Sequence, residues 1–315
     1  MAIFERTMPP EATVALARKR RRGPRPVRAL LRNPLAVAGM LIVLGFSLVA
    51  VMAPVLAPPA DPSRPFSMPR AGYQPEPQPP GPGHPFGTTQ DQYDLYYGVI
   101  WGTRTAFLIG LTVTGLTLTI GVTLGAVAAY AGGWVDELMQ RIVEVFMAFP
   151  FLIAALAMAA LLAPKLHNPL LGALIALTLF GWTGYARLIR GDILSVKQRD
   201  YVLAARGMGA RPRQIVLRHV LPNAILPVLV IAWLDIGGSV LAFAGLSFLG
   251  LGTEEGYADW GQLLALARNW TPALAQYWYI LVFPGGALVL FSLGWNLVGD
   301  GFRDALDPHS QSGRG

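Results

Sequence analysis

Side chains able to do chemistry are sparse in this sequence and poorly grouped for catalysis. There is no cysteine, which excludes disulfides and thiolate metal sites. The four histidines, His84, His167, His219 and His309, are scattered and make no cluster of metal-ligand spacing. No nucleophile–base or paired-carboxylate arrangement emerges, and no Gly-x-x-x-x-Gly-Lys-Ser/Thr loop is present to cradle nucleotide phosphates. The expectation is a chain with no catalytic residue, no metal site and no cofactor of its own. Two polar residues stand out for where they fall: Asp235 and Asn296 interrupt long apolar runs. A polar group at membrane depth is costly enough to be a functional candidate. Asp235 either faces a pore and meets a substrate amine, or is satisfied by a Ser or Thr on a neighbouring helix. Glu144, one turn from Arg141, reads as half of an ion pair at the membrane surface.

The most patterned polar stretch is Gly191–Leu221, GDILSVKQRDYVLAARGMGARPRQIVLRHVL, followed by Pro222. Asp200 to Arg206 reads as a short helix whose Ala204-Ala205 pair permits close packing. Gly207 and Gly209 allow bends that a residue with a side chain resists. Pro212 suits the first turn of a second short helix, where its missing N–H costs nothing. Ile215, Val216 and Val220 give that helix an apolar side, and Leu221-Pro222 opens the next span. The expected shape is helix, glycine turn, helix, lying across a membrane face with a knob toward the cytoplasm.

Long apolar segments must hold these residues in place. Hydrophobic residues make up 53% of the 315 and charged residues only 14%, against roughly 25% charged in soluble domains. That leaves too little polar surface to face water on all sides. Six runs reach the ~20 residues a spanning helix needs: about Leu35–Ala57, Thr105–Tyr130, Ile142–Ala163, Leu170–Ile189, Ala224–Leu246 and Tyr279–Val298. The first is too long, and lies too far from the start, for a cleavable signal peptide. With six spans, 20 of the 25 Lys and Arg fall on one side and five on the other. By the positive-inside rule both termini are cytoplasmic. The net charge of +7 therefore reads as topology, and no nucleic-acid partner is expected. The Arg18–Arg22 run reads as an anchor near anionic lipid. Pro58 to Phe86 holds eleven prolines and reads as a surface loop or as a contact for an external partner. The organisation expected is a basic tail (1–34), a first span (35–57), a Pro-rich outer segment (58–104), a five-helix core (105–300) containing the 191–222 loop, and a cytoplasmic tail (301–315).

At Ala204, Ala205, Gly209, Leu221 and Pro222 the sequence resembles the inner-membrane permeases of bacterial ABC importers. Their shared signature is Glu-Ala-Ala, three residues, Gly, nine residues, then Ile, one residue, Leu-Pro. Leu203 stands where that motif has Glu, and His219 where it has Ile. Arg218-His219-Val220-Leu221-Pro222-Asn223 is similar to the dipeptide/oligopeptide/nickel branch, and to its second, C-type permease. The likeness runs from about Arg32 to Pro308. It includes Gly132-Gly133-Trp134-Val135-Asp136, Phe149-Pro150, Leu246 to Gly252, Asp259-Trp260-Gly261, Phe283-Pro284-Gly285 and Asn296 to Pro308. In the outer segment, Gln92 and Tyr93 replace the branch's Gly-Arg.

The resemblance implies an all-α, type I importer permease with six transmembrane helices in the bacterial cytoplasmic membrane, forming half of a pore for peptides or similar solutes. It implies a homologous second permease, two ATPase subunits or one fused ATPase chain, an extracytoplasmic solute-binding protein, and surrounding lipid. ATP and magnesium would sit on the ATPases. The loop would be the coupling element, through Asp200, Ala204, Ala205, Arg206, Gly207, Gly209, Arg213, His219, Leu221 and Pro222. Nickel chelates, haem and glutathione are alternative cargoes among similar permeases. A stand-alone secondary transporter would call for internal repeats, and a membrane enzyme or insertase for converging polar groups; neither is found in the sequence.

Overall fold

The computed structural model describes residues 30–306. The Arg18–Arg22 run, nearly all of the 1–34 tail and residues 307–315 lie outside the described residues, as do the side chains of Arg206 and Arg213. Regular structure between 30 and 306 is helical, with four isolated β-bridges besides. In chain order the helices are α1 (Pro34–Leu56), α2 (Leu95–Ala131), α3 (Gly133–Met147), α4 (Phe151–Leu166), α5 (Pro169–Val196), α6 (Asp200–Gly207), α7 (Pro212–Ile215), α8 (Leu221–Phe248), α9 (Trp260–Ala267), α10 (Leu274–Tyr277) and α11 (Tyr279–Leu306). Five of them, α1, α2, α5, α8 and α11, are each long and apolar enough to cross a membrane. α2 packs against α5, α5 against α4, α8 against α11, and α11 against α1.

Caps start three of the spans. Asn33, Asp94 and Asn168 each accept backbone N–H bonds at an N-terminus, and proline follows Asn33 and Asn168 at the first helical position. The expected third span, Ile142–Ala163, straddles a break: α3 and α4 meet at 82°. Pro150 has no N–H to continue α3 and disfavours the helical region for Phe149. α3 also carries Asp136, Glu137, Arg141 and Glu144, an unsuitable set for lipid on all sides. The expected Arg141–Glu144 pair is present, at 3.1 Å.

α2 starts ten residues earlier than the expected Thr105, inside the expected outer segment of 58–104. At 37 residues it is about 55 Å long, against a hydrocarbon core of about 30 Å. Its first turns stand in a folded cap at the end of the bundle opposite the 197–220 loop. Two of its residues tie down the end of α1. Pro54 cannot bond the Ala50 carbonyl, and the Arg104 Nε donates to that oxygen at 2.6 Å. The Trp101 Nε1 donates to Ala57 O at 2.8 Å.

The Pro-rich segment belongs to this cap and is more than a surface loop. Tyr97 donates to Pro65 O, Tyr277 to Glu76, and Phe86 stacks on Phe283 at 4.0 Å. Gln92 has φ +62, a left-handed conformation that suits glycine, the residue the resembling permeases carry there. Its buried side chain offsets the strain by donating to Gln74 O and Glu76 O and accepting from Gln78 Nε2.

Asp259 closes the cap beneath α9. It is 4% exposed and accepts from Gly261 N, Gln262 N, Ser247 Oγ and Thr253 Oγ1. Burial pushes its carboxyl above the usual carboxylate range, against the pull of those four donors. Asp259→Ala strands the donors and removes an N-cap, and is expected to cost more than about 2 kcal/mol. Asp259→Asn keeps one capping oxygen but turns its NH2 toward one of the two backbone N–H groups, and is expected to cost less, about 1 kcal/mol. Thermal midpoints of the purified protein check this: equal losses for the two variants would show that the cap is not what holds α9.

Candidate functional site

The loop expected to be functional is built as a rigid extension of the bundle. α6 is the short helix anticipated over Asp200–Arg206. Gly209 has φ +79, and the turn it makes returns Ala210 N to Ala205 O at 3.1 Å. Pro212 opens α7 as expected. α7 does not end there: a π-helical turn, Val216–Val220, runs directly into α8. Leu221-Pro222 is therefore mid-helix in practice, and any displacement of α7 is carried into a spanning helix. Val202, Ile215 and Val220 are buried together with Ile189 and Ile193 of α5, and Ala205 is buried as well. Ala205 thus faces the core, while Asp200, Ala204, Gly207 and Gly209 are exposed. His219 and Leu221 are half-buried, and the His219 carbonyl accepts from Asn223 Nδ2 at 2.7 Å. At the tip Met208 is 82% exposed, with Tyr201 and Leu203 half-exposed beside it. The knob is apolar where the shared motif has Glu. Sequence reasoning passed over Met208 and Tyr201, although an apolar residue between two glycines in a basic loop is a readable signal.

Two polar contacts fasten α5, which leads into this loop, to neighbouring segments. Arg190 and Asp136 of α3 form a two-pronged pair, Nε–Oδ1 2.6 Å and Nη2–Oδ2 2.7 Å. Lys197 donates to Ala129 O at 2.9 Å and lies over the Tyr130 ring. The loop, the end of α2 and the elbowed pair α3–α4 are thereby linked at one end of the bundle.

A cavity of about 500 Å³ opens at the elbow. Phe146, Phe149, Pro150 and Phe151 form one wall, and Thr117, Thr183, Tyr185, Asp235 and Ser239 supply its polar lining. A second cavity of about 530 Å³ continues toward the loop, lined by Arg187, Gly191 and Asp192. The two share Gly181, Gly184, Tyr185 and Asp235. The Tyr185 hydroxyl lies beside the Asp235 carboxyl, and Ser239 is bonded to Thr114 at 3.1 Å. Asp235 thus lines both cavities, whereas Asn296 lies exposed on α11 and lines neither. Tyr185 and Thr183 on the first cavity and Asp192 on the second could not be picked out from their sequence surroundings alone. Among the described residues no group of three or more His, Asp or Glu is placed to hold a metal ion.

Five spanning helices and an elbowed pair around an open cavity, with a rigid helical knob at one end, define a multi-pass membrane permease. The chain belongs to the family of binding-protein-dependent transport system inner membrane components, whose model matches residues 121–311. The N-terminal TM domain of oligopeptide transport permease C matches residues 27–80. The dipeptide transport system permease protein DppC of Alkalihalophilus pseudofirmus is 35% identical, covering 90% of this chain and 89% of that protein. The probable D,D-dipeptide transport system permease protein DdpC of Escherichia coli is 37% identical over 91% of each chain. A chain of the MetNI methionine ABC transporter in an inward-facing conformation shares the fold, with a TM-score of 0.51 at 18% identity over 65% of this chain and 96% of that one. This is an ABC importer permease subunit of the bacterial inner membrane.

Proposed function

We propose that the chain forms half of the translocation pore of an ATP-driven peptide importer. The peptide assignment is supported by the printed names of its relatives, DppC and DdpC among them. A homologous second permease closes the open side of the cavity. An extracytoplasmic solute-binding protein delivers cargo at the capped end, and both termini lie in the cytoplasm. ATP and magnesium belong to two ATPase subunits, or to one fused ATPase chain, and this chain does no nucleotide chemistry. The observation that carries the coupling role is the knob, whose exposed tip at Met208 and Leu203 stands on a root, Val202 and Ile215, buried against α5. A push on the tip cannot be absorbed by a loose loop. It passes through the π turn to α8 and through α5 to the elbow, and both border the cavity. Co-purification tests this assembly: the tagged chain should bring down ATPase subunits and a second permease, and purification as an active homomer would overturn it.

Gly209 gives a sharper test. Nothing lies within 4 Å of a Cβ added there, so a larger residue is not excluded by volume. Its positive φ is the constraint, and an L side chain in that region costs about 1–2 kcal/mol. Gly209→Leu is expected to leave the complex assembled and hydrolysing ATP, with import below about a tenth of normal. Gly209→Asn, which tolerates this backbone region, should keep most of it. Near-normal import by Gly209→Leu would remove the coupling assignment.

A further inference from the structure

We propose that this half-pore selects for a protonated amine, with Asp235 as the residue that sets the selectivity. The inference rests on the importer reading and adds the charge class of the solute. Thr117, Thr183, Tyr185 and Ser239 make the first cavity polar without a fixed charge, and Asp235 is its one Asp, Glu, Lys or Arg. Because Asp235 lines both cavities, a solute crossing from one to the other passes it. Nearer the loop, Asp192 lines the second cavity with its Oδ2 buried and without a hydrogen-bond partner among the described residues. Arg187, also on the second cavity, is exposed, so the cation preference is set in the first cavity, which is lined by no Lys or Arg.

A carboxylate held among apolar walls is costly unless a cation stands beside it, and its field is focused by low-dielectric surroundings. Several ångströms away, one such charge shifts the local ratio of monovalent cations to anions by roughly ten- to a hundredfold. Amines, including the N-terminus of a zwitterionic peptide, are drawn in, and solutes carrying only negative charge are repelled.

The absence of native cysteine makes the test direct. Gly238 lines the first cavity, and a Cβ there meets nothing within 4 Å. In the assembled importer carrying Gly238→Cys, the thiol is reacted with trimethylammonium-ethyl and with sulfonatoethyl methanethiosulfonate, and labelling is read on this chain. Rates are normalised to those with 2-mercaptoethanol. The cationic reagent is expected to be favoured at least tenfold. Asp235→Asn should bring the ratio close to one, and Asp235→Glu should keep it high. A ratio near one with Asp235 intact overturns the proposal, and so does a ratio that Asp235→Asn leaves unchanged. In proteoliposomes Asp235→Asn should also slow import of a free-amine peptide at least tenfold, and import at the unsubstituted rate would overturn it. The importer reading fails separately: the unsubstituted complex would then import no peptide, whatever the labelling ratio.

Discussion

Leucine at Gly121 is expected to break the permease, whereas leucine at Gly115, less than two turns away on the same helix, is expected to leave it intact. A Cβ at Gly121 would lie 2.5 Å from the Tyr185 Cβ and press on the Trp182 carbonyl oxygen. Backbone and a Cβ cannot swing aside as the end of a long side chain can, so α2 and α5 must separate. Overpacking typically costs about 1–3 kcal/mol; against fixed backbone the loss should reach at least the upper end. Tyr185 also borders the cavity, so separation distorts the passage as well as the contact. Gly115 meets nothing within 4 Å, and a side chain there should be neutral or gain up to about 1 kcal/mol by removing glycine from a helix. Thermal midpoints of the two variants in detergent, with import in proteoliposomes, decide the matter. Gly121→Leu should fall by many degrees and fail to import. Equal midpoints for the two variants would mean that the α2–α5 contact is not as close as described.

The same pair of glycines marks where sequence reading ends. Gly110, Gly115, Gly121, Gly125, Gly237, Gly238 and Gly245 look alike in the sequence, each a glycine within an apolar run. Gly110, Gly121, Gly125 and Gly237 are pressed against neighbours, while Gly115 and Gly238 face open space. Apolar periodicity shows that a helix is buried somewhere, but small residues satisfy close contact and open cavity equally well. Only the partner helix separates the two cases. The positions of the spans were legible because ~20 apolar residues have few alternatives. The elbow was less so. Pro150 was visible, but an apolar run on either side of one proline also describes a kinked single span. Asp235 and Asn296 were equal candidates by depth; which of them lines a cavity depends on the direction each faces on its helix.

The cap failed to register for a different reason. Proline-rich segments lack hydrophobic periodicity and cannot build a core alone. Here the core is supplied from elsewhere in the chain: Tyr97 and Trp101 of α2, Trp260 of α9 and Tyr279 of α11. The polar anchors are equally remote in sequence, Tyr277 to Glu76 and Arg104 to Ala50 among them. The short helices of the 191–222 loop were legible because their signals are local: a proline at a helix start and glycines at a turn.

Breaking the Asp136–Arg190 pair is the second change expected to have a large effect, and it acts on coupling more than on folding. Both groups are half-buried, with side-chain exposures of 16% and 29%. The two parallel bonds have the geometry of the stronger class of ion pair. Arg190→Ala removes both of the charge-assisted bonds to the Asp136 carboxylate, a loss of about 1–3 kcal/mol for a half-buried pair. Asp136→Ala strands the guanidinium in turn. Because removing both leaves neither charge unpaired, the double alanine variant should be more stable than the single-variant losses would sum to, by at least about 1 kcal/mol. Function should follow a different order. The pair joins α5, which runs into the knob, to α3, which turns into α4 at the cavity wall. Without it, movement of the knob no longer moves the elbow. ATP hydrolysis by the assembled importer should persist in all three variants, while import falls about tenfold or more in the double variant despite its recovered stability. Recovery of import together with stability would make the pair a folding contact alone. Continued hydrolysis without import would identify it as the link through which the knob moves the wall of the pore.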